Sequence, residues 1–186
     1  MSKIKIILSI AIILPVLVYI VNPLGTATWD PRARIIGYVP YSITSKSMAP
    51  TIQVNDVILV SAAAYVFDEP VTNDLVVFKF PKDRSTDFIM RVVAIGGETF
   101  SIEQGQVIVN GNAVEQPYVD ETNMVRTKKI NLGPLQVPSE MLFVLGDNRD
   151  NSNDSRYWGF VPTEDVVGKV KMIIMSDDEK RIGKIE

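Results

Sequence analysis

The first strong pattern in the chain is a continuous apolar run over residues 6–21, in which Ser9 is the single polar residue. At 1.5 Å per residue the run forms about 24 Å of helix, slightly less than the roughly 30 Å hydrocarbon core of a bilayer. Two lysines precede it, and Trp29 follows at a point where an interfacial aromatic side chain would anchor the helix. The pattern predicts an N-terminal membrane anchor over residues 1–28.

A cleaved secretory peptide is the alternative to a retained anchor. The apolar run is short, and residues 25–27 (Gly-Thr-Ala) offer small side chains for cleavage. Two basic residues lie before the run and two more lie after it, at positions 32 and 34. The distribution of positive charge therefore does not fix the orientation of the segment in a membrane.

After a juxtamembrane linker over residues 30–34, short β-branched or alternating runs replace the continuous apolar pattern. Two dipeptides, Gln104-Gly105 and Asn110-Gly111, are typical of tight hairpin turns. Many short strands with turn residues between them favour an all-β fold of antiparallel sheets or a partly open barrel. The strands are predicted at residues 35–43, 57–60, 75–80, 88–95, 100–102, 106–109, 142–145 and 166–175.

The pattern divides the chain into the anchor, a β domain over residues 29–175 and a highly charged tail over residues 176–186. The tail is expected to be solvated or frayed. A chain of 186 residues with 46% apolar residues suffices for one domain with a real core plus a short extra segment.

Composition excludes several kinds of chemistry. The chain contains no cysteine and no histidine, so disulfides, thiolate nucleophiles, Ser-His-Asp triads and sites built on thiolate or imidazole ligands are impossible. A net charge of −3 gives no reason to expect a nucleic acid as partner. We expect no metal or other cofactor. A serine nucleophile in this chain would need an amine as its base or would have no base.

The most polar segment follows the apolar run at residues 141–145. Residues 146–160 read Gly-Asp-Asn-Arg-Asp-Asn-Ser-Asn-Asp-Ser-Arg-Tyr-Trp-Gly-Phe. A solvated turn is the simpler explanation, because these are ordinary turn residues. Two arginines spaced among three aspartates instead favour a fixed constellation in which the polar groups satisfy one another.

Two further segments complete a recognisable pattern. Residues 45–51 read Ser-Lys-Ser-Met-Ala-Pro-Thr, and residues 87–98 read Asp-Phe-Ile-Met-Arg-Val-Val-Ala-Ile-Gly-Gly-Glu after the apolar strand at residues 73–78. Together with the polar segment, these ordered motifs resemble those of bacterial signal peptidase I over residues 36–168. The resemblance implies a membrane-bound serine endopeptidase with a serine–lysine dyad.

The resemblance also implies roles for individual residues. Ser47 would be the nucleophile, and Ser45 would donate a hydrogen bond to the oxyanion beside the backbone N–H of Ser47. Ser152 would orient the amine of the base. Asp154 and Arg156 would form a supporting ion pair, and the loop would be braced by Asp147, Asn148 and Arg149.

One position departs from the family pattern. The family carries its base lysine directly before the arginine of the motif at residues 87–98, whereas this chain has Met90 before Arg91. Methionine matches lysine in length and shape but has no basic nitrogen, and the guanidinium of Arg91 stays protonated. Losing a general base typically costs about 10²–10⁴-fold in rate, so we expect the chain to be inactive or impaired.

Other amines and the substrate cleft remain open at this point. Lys46, Lys79 and Lys82 are alternative bases, although solvent exposure is the simpler expectation for each. Tyr41 and Ile43, with Val54 and Val57, would line a shallow apolar cleft that accepts small side chains before the cut site. Ordinary alternation of core residues explains the same pattern.

The sequence as a whole predicts an enzyme that removes signal peptides from exported preproteins at the outer face of the plasma or inner membrane. Its partners would be signal peptides and membrane lipid. Three hypotheses account for Met90: replacement of the base in an otherwise active enzyme, a pseudoenzyme that binds signal peptides or other partners without cutting, and a peptidase that uses another amine or matures components of conjugative transfer.

Overall fold

One apolar helix and two antiparallel sheets form most of the regular structure in residues 3–185, the part of the chain that this computed structural model describes. Residues 1, 2 and 186, at the outer ends of the predicted anchor and tail, lie outside the described residues. Helix α1 spans Lys3–Val21, and a single helical turn, α2, spans Ser155–Trp158.

The strands, in chain order, are β1 Tyr38–Ser42, β2 Val57–Ser61, β3 Leu75–Phe80, β4 Asp83–Ile95, β5 Thr99–Glu103, β6 Gln106–Val109, β7 Asn112–Ala113, β8 Leu132–Gln136, β9 Met141–Leu145, β10 Val161–Pro162, β11 Val166–Met175 and β12 Gly183–Lys184. The connections between strands are short except for those from β1 to β2, from β2 to β3, from β7 to β8 and from β9 to β10.

The larger sheet has the order β1-β2-β11-β3-β4-β9-β10, with β12 paired to β11, and the smaller sheet has the order β7-β6-β5-β8. The described strands pair antiparallel, which confirms the predicted antiparallel sheets. The larger sheet does not close into a barrel. A short connection joins the end of β4, in the larger sheet, to β5 in the smaller sheet. Met90 lies in the middle of β4.

Helix α1 is confirmed as a single apolar helix of 19 residues with no buried side chain. It is long and apolar enough to cross a membrane, at about 28 Å. Arg34 ties its C-terminal end to the domain, because the guanidinium donates to the carbonyl oxygens of Tyr19 (3.2 Å) and Thr28 (2.9 Å) and lies over the ring of Trp29 at 3.8 Å.

Alternation along β4 and β9 separates two apolar cores. Val92 and Val144 belong to the core that also contains Met90, whereas Val93 and Phe143 face a second core formed with the smaller sheet. Successive residues of a strand point to opposite faces, so these two strands are buried on both sides. The candidate site residues of β4 therefore sit in the middle of the fold and are held on both faces.

The predicted strands at residues 75–80, 106–109 and 166–175 match the structure, and the two hairpin turns are confirmed by positive φ values at positions 104, 105, 110 and 111. The predicted strand at residues 35–43 begins too early. A π-helical turn over Arg32–Ile36 buries Arg34, and Gly37 ends it in a left-handed conformation (φ 80°) before β1 begins. Strands β7, β8, β10 and β12 were not predicted from the sequence.

The C-terminal segment is ordered on the domain rather than frayed, although its residues 177–180 are exposed to solvent. Residues Glu179–Arg181 form a 3₁₀ turn whose N-terminal cap is Asp178, and β12 then pairs with β11 at Met172 and Ile173. Arg181 forms an ion pair with the buried carboxylate of Asp56 at 2.8 Å. Backbone pairing and this buried partner hold the segment on the domain despite its charge.

Phe143 joins the two sheets, because its ring stacks on Phe100 at 4.1 Å and meets Phe160 edge-on at 5.8 Å. Phe143→Ala should lower the free energy of unfolding by about 3–5 kcal/mol, measured by urea unfolding in detergent. Phe67→Ala is the matched control, since Phe67 is 97% exposed and its loss should cost little. Equal effects of the two substitutions would contradict this account of the core.

Candidate active site

The predicted nucleophile lies in a tight loop between β1 and β2, here called the serine loop (residues 43–56). Two backbone hydrogen bonds of 2.9 Å close its base, from Ile43 N–H to Asp56 O and from Asn55 N–H to Ile43 O. Within the loop, Ile52 N–H donates to Met48 O at 2.9 Å. These bonds hold Ser47 at the surface of the core, where it is half-buried.

Ser45 lies beside Ser47, as the resemblance implies. The backbone N–H of Ser47 donates to the Ser45 hydroxyl oxygen at 3.2 Å. The two groups expected to stabilise an oxyanion therefore bond to each other in this structure. A substrate carbonyl oxygen would have to replace that bond in order to receive both donors.

Met90 occupies the middle of β4 and is 2% exposed. It belongs to the same buried apolar cluster as Ile43, Met48 and Ile52, and it lines one cavity with them. Its neighbour Arg91 points to the opposite face, because side chains alternate along a strand.

The polar loop (residues 146–154) is brought to this point by the sheet register. Arg91 pairs with Leu145 at the end of β9, so the polar loop begins beside Met90 and Arg91. Asn148 then joins the two loops: its backbone N–H donates to Ser47 O at 3.0 Å, and its side-chain amide donates to Lys46 O at 3.1 Å.

Ser152 is buried in the polar loop, and its hydroxyl oxygen has no hydrogen-bond partner among the described residues. Gly146 leaves room for it. A Cβ at Gly146 would lie 2.2 Å from the Ser152 hydroxyl oxygen and 2.5 Å from the carbonyl oxygen of Ser47. Gly146 thus lets Ser152 and the backbone of Ser47 approach the same point.

A buried ion pair braces the serine loop from below. Arg91 donates to both carboxylate oxygens of Asp147, at 2.9 and 2.7 Å, and the hydroxyl of Thr51 donates to the same carboxylate at 2.6 Å. The ring of Tyr118 covers the guanidinium of Arg91 at 3.7 Å. The motif of β4, the serine loop and the polar loop meet at this carboxylate.

A second buried ion pair stabilises the polar loop itself. Arg156 binds Asp154 through Nε and Nη2 (2.7 and 2.8 Å), and Asp154 also accepts the backbone N–H of Gly146 at 3.2 Å. Arg149 donates to Gly146 O at 3.1 Å and to the side chain of Gln116 at 2.6 Å. Burial leaves the pKa of Arg149 below its usual range, although the nearby Tyr118 and Asp147 act in the opposite direction.

An open cavity of about 370 Å³ lies between the serine loop and β4. Tyr41 and Ile43 line it as expected, and the hydroxyl of Tyr41 donates to Asp87 at 3.0 Å. Val54 and Val57, which the sequence analysis also placed in the cleft, are not among its lining residues. The full lining is Tyr41, Ser42, Ile43, Thr44, Ser45, Ser47, Met48, Ile52, Thr86, Asp87, Phe88, Ile89, Met90, Asn151 and Asn153.

None of the lysines in the described part of the chain lines this cavity. Lys79 contacts one lining residue, because its ammonium forms an ion pair with Asp87 at 3.2 Å. Lys46 and Lys82 are exposed. The candidate alternative bases therefore have solvent or a carboxylate as neighbours.

The model of the family described as "Signal peptidase, peptidase S26" matches residues 6–175. The chain belongs to this signal peptidase family. It is 36% identical over 157 residues to a signal peptidase I of Leptolyngbya laminosa, covering 81% of this chain and 71% of the relative. It is 32% identical over 192 residues to a signal peptidase I of Aquifex aeolicus, covering 73% of this chain and 75% of the relative.

Among solved structures, a signal peptidase I of Enterococcus faecalis aligns with a TM-score of 0.48 at 30% identity, covering 55% of this chain and 97% of that one. Family membership makes the chain a signal peptidase I-like serine endopeptidase, a class that removes signal peptides from preproteins. Helix α1 fits the membrane anchor of such an enzyme.

Sequence reasoning missed three contributors to the site: Thr51, Tyr118 and Gln116. It also assigned Arg91 no structural role, although Arg91 is 4% exposed. A signal for Arg91 was present, because an arginine inside an apolar strand needs a buried carboxylate partner. Tyr118 and Gln116 lie in an irregular connection, where no periodic pattern marks a contact.

Gly146→Ala should destabilise the chain by about 3 kcal/mol, because the added methyl group would collide with Ser152 and with the Ser47 carbonyl. Gly111→Ala is the control: that glycine has open space around it and a φ of 79°, so alanine should cost only about 1 kcal/mol of backbone strain. Thermal unfolding in detergent measures both, and a smaller loss for Gly146→Ala would refute the close approach.

Proposed function

We propose that this chain is a membrane-anchored signal peptidase that binds signal peptides in the cavity beside Ser47 but cleaves them slowly or not at all, because Met90 stands where the amine base belongs. One observation carries the proposal. The buried hydroxyl of Ser152 lacks a hydrogen-bond partner among the described residues, in a polar loop that begins beside Met90 on β4.

An unsatisfied buried hydroxyl costs about 1–3 kcal/mol, so a protein rarely keeps one without a partner. An amine extending from position 90 would supply that partner, since a hydroxyl can orient an amine by a hydrogen bond. The apolar neighbours Ile43, Met48 and Ile52 would also disfavour the charged form of such an amine. The surroundings of Met90 thus suit a neutral amine base better than they suit a thioether.

In the mechanism that these residues support, Ser47 Oγ attacks the scissile carbonyl and passes its proton to the base. The developing oxyanion would replace the internal bond between Ser45 and Ser47 and receive the Ser47 N–H and the Ser45 hydroxyl. Each such donor typically contributes about 3–4 kcal/mol to transition-state stabilisation. Without a base, the serine hydroxyl remains a weak nucleophile.

The remaining site residues act by positioning. Asp147 and Arg149 hold the start of the polar loop, and Asp154 with Arg156 holds its end. Tyr41 and Ile43 form part of the apolar wall that would receive small side chains preceding the cut site. Helix α1 would place this cavity at the outer face of the plasma or inner membrane, where signal peptides emerge.

Met90→Lys should raise cleavage of a preprotein by at least about 10²-fold, because it restores a proton acceptor beside Ser47. The rate should rise with pH until the introduced amine is fully neutral. Gel-based cleavage of a preprotein in detergent measures the gain. Met90→Leu is the matched control, and Ser47→Ala in the Met90→Lys background should abolish the gain.

Two results would overturn parts of this proposal. If the parent chain already cleaves at full rate in a Ser47-dependent manner, the missing-base explanation is wrong, and another amine serves as base. If Met90→Lys stays inert while a labelled signal peptide still binds, binding without cleavage is the function.

Ser152→Ala should have different effects in the parent chain, with methionine at position 90, and in the Met90→Lys background. In the parent chain it should leave the free energy of unfolding unchanged or raise it by about 1 kcal/mol, because the hydroxyl has no partner to lose. In the Met90→Lys background it should lower kcat about tenfold or more, since the amine loses the group that orients it. Equal effects in the two backgrounds, measured by unfolding and cleavage, would refute a link between positions 90 and 152.

A further inference from the structure

We propose that Arg181, in the C-terminal segment, is a positioning residue that holds the serine loop in its reactive shape. Its guanidinium donates to two consecutive carbonyl oxygens of that loop, Pro50 O at 3.1 Å and Thr51 O at 3.0 Å. It also donates to the Asp56 carboxylate at 2.8 Å. One side chain therefore joins the turn that follows Ser47 to the residue that closes the loop.

Asp56 makes this contact part of the loop's own framework. Its backbone oxygen accepts the N–H of Ile43, and its carboxylate accepts the N–H of Gln53 at 2.8 Å. Burial raises the pKa of Asp56, but the hydrogen bonds from Arg181 and Gln53 outweigh burial and leave the pKa below its usual range. The carboxylate thus stays charged at neutral pH and holds the guanidinium.

Thr51 is fixed from two sides. Its carbonyl oxygen accepts from Arg181, and its hydroxyl donates to Asp147 in the buried pair with Arg91. The hydrogen-bond partners of Arg181 are Pro50, Thr51 and Asp56, none of which lines the cavity, so Arg181 acts through the loop. A planar guanidinium reaches two carbonyls and a carboxylate together, which the point charge of a lysine does not.

The rest of the segment keeps Arg181 in place. Asp178 caps the 3₁₀ turn that carries Arg181, and β12 pairs with β11 just after it. Asn55 in the serine loop donates to Asp177 at 3.0 Å, which adds a second contact between the segment and the loop. A charged tail that the sequence suggests is solvated is thus a structural part of the site.

The catalytic test rests on the proposed function and uses full-length protein carrying Met90→Lys. Adding Arg181→Gln should lower kcat by between about 10- and 100-fold with a smaller change in KM, because a displaced serine loop misplaces Ser47 while the β4 side of the cavity stays in place. Lys180→Gln is the matched control, since Lys180 is the exposed basic neighbour on the same turn. Arg181→Lys should keep the ion pair with Asp56 but recover little of the lost kcat.

A second measurement does not require activity. In the parent chain, Arg181→Gln should speed amide hydrogen exchange at Ala49 and Ile52, whose N–H groups bond within the loop, while Lys180→Gln leaves it unchanged. Faster exchange confined to residues 46–56 supports the proposal, and unchanged exchange there overturns it. If Arg181→Gln unfolds the chain, Arg181→Lys is measured by the same criterion.

Cleavage kinetics and hydrogen exchange together distinguish failure of the proposed function from failure of the role of Arg181. An inert Met90→Lys protein contradicts the proposed function, while the exchange measurement still decides the role of Arg181. A Met90→Lys protein that cleaves at an undiminished rate after Arg181→Gln contradicts the role of Arg181 alone.

Discussion

The candidate site depends above all on the buried ion pair between Arg91 and Asp147. Arg91 lies on β4 next to Met90, Asp147 begins the polar loop, and Thr51 of the serine loop bonds to the same carboxylate. A buried charge is costly unless it is paired and hydrogen-bonded, and breaking such a pair typically costs about 3–5 kcal/mol. This ion pair therefore holds β4, the polar loop and the serine loop together, because separating any of them from it would cost free energy.

The same constraint shapes the electrostatics of the loop. Three buried or nearly buried arginines (91, 149 and 156) face two buried aspartates (147 and 154), so positive charge is in excess. The pKa of Arg149 is lowered mainly by burial; Arg156 lowers it further, while Tyr118 and Asp147 raise it. A positive surplus beside an apolar core disfavours a further cation, which is the condition under which an amine at position 90 stays neutral and basic.

Local patterns in the sequence predicted the elements that carry their own periodicity or turn chemistry. The hairpin dipeptides and the long apolar runs of β3 and β11 are of this kind. Strand β8 was missed because Gly133 and Pro134 interrupt it, and β12 was missed because it is two residues long and lies in a charged segment.

The site divides in the same way. Motif spacing pointed to Ser47, Met90 and Ser152. Ser47 and Met90 line one cavity, and Ser152 lies with the Ser47 carbonyl oxygen around Gly146. The contacts that hold them, such as Arg181 to Pro50 or Thr51 to Asp147, join residues 131 and 96 positions apart. Such contacts depend on which strands pair, and no local pattern specifies that pairing.

At position 90, the side chain that favours stability differs from the one that favours activity. A methionine adapts well to an apolar core, and its thioether makes no demand for a hydrogen-bond partner. An amine in the same place must either lose its proton or remain as an unfavourable buried cation, so it lowers stability while it enables proton transfer. The polar loop and the serine loop are held by ion pairs that do not involve position 90, so the scaffold does not depend on an amine there. The complete arrangement around Ser47 is therefore compatible with a missing base, because the contacts that build the site are separate from the group that activates it.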